Sequence, residues 1–235
     1  TPEYLARFPG EMAERRRYGL SMISAIDDGV GQIRDLLKKN RIDKDTLIFF
    51  LSDNGAPLKL NMPDEPISEL NAVWDGSKNT PWVGEKGMLS EGGIRVPYVV
   101  TWPRRIKAGQ ICDQPVTALD IASTALAAAG RKIPAELDGV NLLPSFATNA
   151  NGLPERDLFW RFWGQSAIRR GQWKYVTLSD GRDGLYDLST DQHEKTNLIK
   201  QHPEKAQQLR VALEAWSNEL DPPGLNAKNV NGQEK

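Results

Sequence analysis

The chain has 235 residues, with 30 Lys or Arg against 31 Asp or Glu and a net charge of −1. This length is enough for one large domain or for a domain with a smaller appendage, and the balanced charge gives no general attraction to nucleic acid or to anionic membranes. Apolar runs stay short of the roughly 18 residues of a membrane span, and the single cysteine, Cys112, excludes an internal disulfide.

The first predicted element is one long amphipathic helix between Glu11 and Asn40. Its apolar residues recur every three or four positions, which is the spacing of one helix face. They are Tyr18, Met22, Ile26, Val30, Ile33 and Leu37. The sequence enters this helical pattern soon after Thr1, with neither an initiator methionine nor a signal peptide. We therefore expect a piece of a longer protein, although a processed N-terminus would look the same.

The next predicted element, Thr46 to Leu51, is a continuous apolar run. It favours a strand that is buried on both faces in a parallel α/β sheet. Asp53 and Asn54 follow it, at the carboxyl end where such sheets bind ligands. Their oxygens suit calcium or magnesium. Asp-Asn-Gly is also good turn chemistry, and on the tripeptide alone a simple turn is the commoner outcome.

A loop from Ala56 to Thr80 follows, and a loop of this length inside a compact domain is usually functional or mobile. Four glycines then surround Lys86, and they would let the backbone come close to a ligand. They are Gly84, Gly87, Gly92 and Gly93. The alternative is a surface loop with a solvated lysine, which is the commoner environment for this residue.

The remaining pattern predicts two parts, residues 1–150 and residues 151–235. The first part ends with a short strand at Tyr98 to Trp102 and a helix between Pro115 and Gly130. In the second part, turns separate four short strands, which indicates a small antiparallel sheet. The predicted strands are Leu158–Trp163, Ser166–Arg169, Trp173–Leu178 and Leu185–Leu188. A helix from Pro203 and a loose tail from Asp221 close the chain.

Several segments, in the order in which they occur along the chain, resemble the C-terminal half of a type I, formylglycine-dependent sulfatase of the alkaline-phosphatase-like superfamily. The resemblance runs from about Arg17 to Leu220 and rests on five motifs. They are Tyr18 with Met22 to Gly31, the strand and tripeptide Thr46–Gly55, the segment Gly84–Pro97, the pair Asp138-Gly139, and Trp173-Lys174 with Leu185–Leu188 and Asn197-Leu198. The resemblance implies an α/β fold with part of a mainly parallel sheet between helices, then a small antiparallel sheet and a C-terminal helix.

The resemblance also implies roles for individual residues. Asp53 and Asn54 would bind calcium, with magnesium as second choice, and Lys86 would neutralise a sulfate oxygen and the leaving group. This is physically reasonable, because sulfate-ester cleavage places negative charge on oxygens. We also expect the long loop from Ala56 to Trp82 and the antiparallel segment around Arg161, Trp163 and Gln165 to border the mouth of the active site. The candidates for substrate binding are Arg161 and three tryptophans, Trp74, Trp82 and Trp163. The tryptophans are candidates because an aromatic ring can stack on the apolar face of a sugar.

The family's nucleophile, a formylglycine made within a Cys/Ser-x-Pro-x-Arg segment, has no counterpart in this sequence. Cys112 lacks that context and is expected to be a partly buried structural thiol. We expect the nucleophile to come from the protein's own N-terminal half, and the substrate to be a sulfated small molecule or carbohydrate. The alternatives are a phosphonate or phosphate ester hydrolase of the same superfamily, and a non-catalytic module when the chain is isolated. The resemblance implies a periplasmic, secreted or lysosomal location.

Overall fold

A computed structural model describes residues 1–58, 76–147, 152–178 and 181–221. The chain divides into two compact units, each built from two stretches of sequence. Unit 1 comprises Thr1–Ser52 and Pro97–Pro154, and unit 2 comprises Asp53–Val96 and Glu155–Lys235. The boundary near residue 150 that the sequence suggests stays a prediction.

Unit 1 begins with helices α1 (Pro2–Ala6) and α2 (Glu14–Lys39). The Tyr4 hydroxyl and Arg7 Nη1 each donate a 3.0 Å hydrogen bond to the Asp28 carboxylate on α2. The bond from Arg7, followed by that from Tyr4, lowers the pKa of the Asp28 carboxyl. Polar contacts of this kind hold the short α1 against the middle of α2.

The predicted long helix is confirmed by α2, but its apolar face is largely exposed. Met22 is 68% exposed and Ile33 is 58% exposed. In the described part of the chain this face therefore lacks the packing that normally stabilises an amphipathic helix.

The strand after α2 forms where it was predicted, but its burial and its pairing differ from the prediction. A 3-10 turn at Asp43–Asp45 leads into β1 (Ile48–Leu51), which pairs antiparallel with β2 (Tyr98–Thr101). Phe50 of β1 is 47% exposed, so the expectation of burial on both faces is wrong for this strand. The described residues of this sheet form only the β1–β2 pair, which contains no parallel pairing.

The rest of unit 1 is organised by the helix α4 (Asp120–Ala128). The fully buried Asp120 carboxylate accepts hydrogen bonds from the backbone N–H groups of Thr117 and Val140, at 2.8 and 2.9 Å. Gly139 passes so close that a Cβ there would lie 2.0 Å from the Leu119 carbonyl oxygen. The Asp138-Gly139 motif is thus a close backbone crossing, after which α5 (Leu143–Ala147) follows.

Unit 2 contains a four-stranded antiparallel sheet, with neighbouring strands in sequence order. Its strands are β3 (Asp157–Phe162), β4 (Gln165–Arg170), β5 (Trp173–Thr177) and β6 (Asp183–Asp187). The helix α6 (Pro203–Asn218) packs on this sheet through a core that includes Ile168, Leu185 and Leu209. Unit 2 also contains the single-turn helix α3 (Glu91–Ile94).

The predicted class is confirmed, since the chain is α/β and carries a small antiparallel sheet with a C-terminal helix. The prediction for Cys112 is wrong, because this thiol is exposed, in a segment without helix or strand. Among the helices that the structure describes, none has both the length and the apolarity needed to cross a membrane.

Candidate active site

Lys86 lies in a tight turn whose shape depends on two glycines. Gly84 and Gly87 have φ angles of +91° and +89°, in the region that side chains disfavour. The Met88 N–H donates to the Glu85 carbonyl at 2.9 Å, which closes the turn, and the Lys86 N–H donates to the Ala56 carbonyl at 3.2 Å. The backbone is thereby held while the Lys86 side chain remains exposed.

Three further glycines bring separate backbone segments into direct contact. A Cβ on Gly55 would lie 1.8 Å from the Gly92 carbonyl oxygen, and one on Gly93 would lie 2.0 Å from the Met88 carbonyl oxygen. A Cβ on Gly92 would lie 2.4 Å from the Gly84 carbonyl oxygen. Contacts this short leave no room for any side chain. Gly92 and Gly93 thus serve contact between backbones, whereas the sequence suggested that they let the backbone approach a ligand.

Hydrogen bonds across these contacts tie the segments together. The Gly55 N–H donates to the Gly93 carbonyl at 2.9 Å, and the Gly92 N–H donates to the Val83 carbonyl at 2.7 Å. The turn that carries Lys86 is therefore fixed, through α3, to the segment that carries Asp53 and Asn54. We call this arrangement of residues 53–56, 83–90 and 91–94 the glycine clasp.

Asn79 also joins two parts of the glycine clasp, a role that sequence reasoning missed. Its side-chain oxygen accepts a 2.9 Å hydrogen bond from the Ala56 N–H. Its amide group donates to the Ala56 and Gly84 carbonyls at 2.8 and 3.0 Å. Because Asn79 stands in a polar loop, no local pattern distinguishes it from an ordinary loop asparagine.

The two predicted metal ligands lie at one end of the glycine clasp. An oxygen of the Asp53 carboxylate accepts a 3.0 Å hydrogen bond from the Asn54 N–H. The Asn54 side-chain amide donates to the Gly55 carbonyl at 3.0 Å. A carboxylate and an amide oxygen are suitable ligands for a hard cation.

These two residues can supply only part of a calcium site, because calcium takes about six to eight oxygen ligands. Among the residues described here, no group of three or more His, Cys, Asp and Glu side chains is arranged to hold a metal. Asp53 and Asn54 are thus suitable as two of the ligands of a calcium ion, and their assignment as ligands stays a prediction.

The predicted substrate-binding aromatics lie in different environments. The Arg95 guanidinium carbon lies 3.9 Å from the centre of the Trp82 ring, so one face of that ring is covered. Trp163 is 52% exposed and stacks on Phe162, with 5.2 Å between ring centres. Trp74 lies outside the described residues.

Arg161 and Gln165 link other parts of unit 2. Arg161 donates to the carbonyl oxygens of Ser217, at 3.4 Å, and of Asp221, so its guanidinium is bound to the end of α6. Gln165 donates a 3.0 Å hydrogen bond to the Gly87 carbonyl. The tip of the β3–β4 hairpin, which carries Trp163, therefore contacts the turn that carries Lys86.

The sequence matches two families of known proteins. The family described as Sulfatase matches residues 1–131, and that described as N-sulphoglucosamine sulphohydrolase, C-terminal, matches residues 81–220. The N-acetylgalactosamine-6-sulfatase of Mus musculus is 36% identical over 177 residues, or 74% of this chain and 31% of the relative. The N-acetylgalactosamine-6-O-sulfatase of Bacteroides thetaiotaomicron is 31% identical over 220 residues, or 83% of this chain and 40% of the relative.

This chain is also similar to solved structures of other proteins. The crystal structure of Ps i-CgsB in complex with k-i-k-neocarrahexaose superposes with a TM-score of 0.83 and 31% identity, over 99% of this chain and 49% of that one. The PsFucS1 sulfatase from Pseudoalteromonas sp. shares the fold, with a TM-score of 0.68 and 24% identity over 93% of this chain and 45% of that one.

This chain spans about a third of the length of the mouse relative and about half that of Ps i-CgsB. The family match nevertheless covers more than half of the chain, and the resemblance seen in its motifs is confirmed. The chain belongs to the sulfatase family.

Proposed function

We propose that the protein hydrolyses sulfate esters and that Lys86 stabilises negative charge during the reaction. The observation that carries this proposal is the glycine clasp, which fixes the backbone of Lys86 against the segment of Asp53 and Asn54. Holding the backbone that carries a cation against the backbone that carries two oxygen ligands favours a preorganised arrangement of the kind that stabilises developing charge. Among the described residues, no carboxylate forms an ion pair with the Lys86 ammonium, which leaves it available to an anionic substrate.

We further propose that Asp53 and Asn54 contribute oxygen ligands to a calcium ion. When bound, a divalent ion polarises the sulfate oxygens and offsets their charge. The chain's own contribution is to orient those oxygens, through the bonds that Asp53 accepts from Asn54 and that Asn54 donates to Gly55.

The nucleophile is proposed to be a formylglycine from an N-terminal half of the protein. The Cys/Ser-x-Pro-x-Arg segment that would carry it is not in this sequence. Support for further polypeptide comes from the exposed apolar face of α2, where Met22, Ile26 and Ile33 are all more than half exposed. An apolar stripe of this kind normally packs against another element. By family resemblance, we propose a periplasmic, secreted or lysosomal location.

We propose that the sulfate ester is carried by a carbohydrate. The hairpin tip that touches Gly87 presents the stacked rings of Phe162 and Trp163, which are 40% and 52% exposed. Exposed aromatic rings can stack on the apolar face of a sugar. Several relatives act on or bind sulfated sugars by name, including the N-acetylgalactosamine-6-sulfatase of Mus musculus.

Substitution of Trp163 tests the carbohydrate part of the proposal. Trp163→Ala in the full-length protein should raise KM for a sulfated oligosaccharide by about two- to tenfold, since loss of one aromatic contact costs about 0.5–1.5 kcal/mol. Turnover of 4-nitrophenyl sulfate, which has no sugar, serves as the control and should change little. An unchanged KM for the oligosaccharide would contradict the carbohydrate assignment at this hairpin.

Comparing two small substrates tests the reaction itself. Full-length protein should turn over 4-nitrophenyl sulfate with a higher kcat/KM than 4-nitrophenyl phosphate. The reverse preference would favour the alternative, a phosphate or phosphonate ester hydrolase. The other alternative, a non-catalytic module when the chain is isolated, predicts that these 235 residues purified alone turn over neither ester.

A further inference from the structure

Glu91 of the glycine clasp belongs to a buried ion cluster with Lys174 on β5 and with Glu194. The Lys174 side chain is 0% exposed and the two glutamates are each 3% exposed. Lys174 Nζ lies 2.8 Å from an oxygen of Glu91 and 2.8 Å from an oxygen of Glu194. A charged group is almost never buried to this extent unless it is paired, so these three residues depend on one another.

The cluster is joined directly to the glycine clasp. Glu91 is the first residue of α3, and its backbone N–H donates a 2.7 Å hydrogen bond to the Glu194 carboxylate. The next two residues, Gly92 and Gly93, are those whose backbones touch the Lys86 turn and Gly55. Any shift of Glu91 would therefore move the backbone that supports Lys86.

The backbone of Glu194, the third member of the cluster, has an uncommon conformation. Its φ angle is +53°, in the left-handed region where residues other than glycine are rare. The Asp191 carboxylate accepts 2.8 Å hydrogen bonds from the N–H groups of Lys195 and Thr196 and so fixes the turn around Glu194. Unfavourable backbone of this kind persists only where surrounding contacts enforce it, and such residues cluster at functional sites.

The cluster also has basic neighbours at its edge. Arg95 Nη1 lies 3.6 Å from the second oxygen of Glu91. Burial lowers the pKa of the Arg169 guanidinium, and the nearby Glu91 carboxylate partly offsets that effect. Lys174 is the fully buried cation among them, so its removal would leave two buried carboxylates without their common partner.

We propose that Lys174, acting with Glu91 and Glu194, is a positioning residue that sets the place of Lys86 and of the Asp53–Asn54 segment for the reaction. The catalytic part of this inference, an effect of Lys174 on the reaction, rests on the proposed function. The structural part, that the antiparallel sheet holds the glycine clasp through this ion cluster, stands on the geometry alone.

The structural test is amide hydrogen exchange on the full-length protein. Lys174→Met keeps an unbranched side chain, one atom shorter than that of lysine, and removes its charge. Exchange should rise about tenfold or more in peptides covering residues 53–58 and 83–95, because these backbones lose their anchor. The matched control is Asp157→Asn, which weakens an ion pair between β3 and β4 of the same sheet, with Asp157 and Arg170 2.5 Å apart, and neither residue belongs to the glycine clasp. If Lys174→Met does not fold, Glu194→Gln, which keeps the bond between Lys174 and Glu91, replaces it.

The kinetic test asks whether Lys174 acts through Lys86. With 4-nitrophenyl sulfate, Lys174→Met should lower kcat by about 10²-fold, the scale of a 1 Å misplacement, and should change KM by less than about threefold. In a Lys86→Ala background the further loss should shrink to less than about threefold, because the residue being positioned is gone. Asp157→Asn should leave kcat nearly unchanged in both backgrounds.

Two outcomes would overturn the proposal. One is equal exchange in the clasp peptides of Lys174→Met and Asp157→Asn. The other is a kcat loss from Lys174→Met that stays at about 10²-fold when Lys86 is already alanine. If the wild-type protein turns over no sulfate ester, the proposed function fails, and the exchange measurement still decides whether the cluster holds the glycine clasp.

Discussion

Replacing Gly93 by alanine tests whether backbone contact within the glycine clasp positions Lys86. The added Cβ would lie 2.0 Å from the Met88 carbonyl oxygen and 2.6 Å from that of Glu85. Real Cβ atoms essentially never lie under 3.0 Å from another heavy atom, so the Met88 carbonyl and Gly93 must move apart by about 1 Å. Both neighbours are backbone atoms, and no rotation of a side chain can relieve the clash.

The size of the effect follows from this displacement. Lys86 lies between Glu85 and Met88, so the turn that carries it must shift or deform. A misplacement of about 1 Å costs on the order of 10²-fold in rate, and overpacking typically costs about 1–3 kcal/mol of stability. Gly93→Ala should therefore lower kcat/KM for 4-nitrophenyl sulfate about 10²-fold and lower the melting temperature.

The assay combines steady-state kinetics with thermal melts, and activity is compared at a temperature where both proteins are fully folded. The control is Gly31→Ala in α2, where an added Cβ meets nothing within 4 Å. Alanine in a helix interior should stabilise by roughly 0.5–1 kcal/mol. Wild-type kcat/KM in a folded Gly93→Ala protein would refute the reasoning, since it would show that the turn absorbs the clash without moving Lys86.

Two further predictions concern Lys86 and Tyr175. Lys86→Ala should lower turnover of the full-length protein by about 10²–10³-fold, the usual effect of losing one preorganised charge-stabilising group. The melting temperature should barely change because the side chain is exposed, and near-normal turnover would identify Lys86 as an ordinary surface lysine. Burial, followed by the hydrogen bond to Asp183, raises the pKa of Tyr175 to about 12 from 10.0. The folded state keeps this phenol protonated where the unfolded chain ionises, so its contribution is full below about pH 10 and is lost as pH rises through about 12. A shift of this size corresponds to about 2–3 kcal/mol. Urea unfolding from pH 8 to 12 should show that loss in the wild type and not in Tyr175→Phe, and parallel pH profiles for the two proteins would contradict it.

Much of the fold was predictable because its signals are local. The spacing of apolar residues predicted α2 and α6, and the turns of the C-terminal part predicted β3 to β6 within one or two residues of their observed ends. Helical and strand periods are properties of neighbouring residues, so a sequence contains them directly. The tripeptide that begins at Asp53 and the glycines around Lys86 were likewise visible as motifs.

The reasons behind those motifs were decided only by tertiary structure. Gly55 looked like a turn residue, whereas its lack of a side chain is required by the Gly92 carbonyl, 1.8 Å from where a Cβ would stand. Lys174 lies in a strand with no unusual local pattern. It is fully buried, and its charge is paired with that of Glu91, which lies 2.8 Å away although it is 83 positions earlier in the chain. A local pattern records which residues share a face, but the pairing of a buried charge depends on which distant segment folds against it.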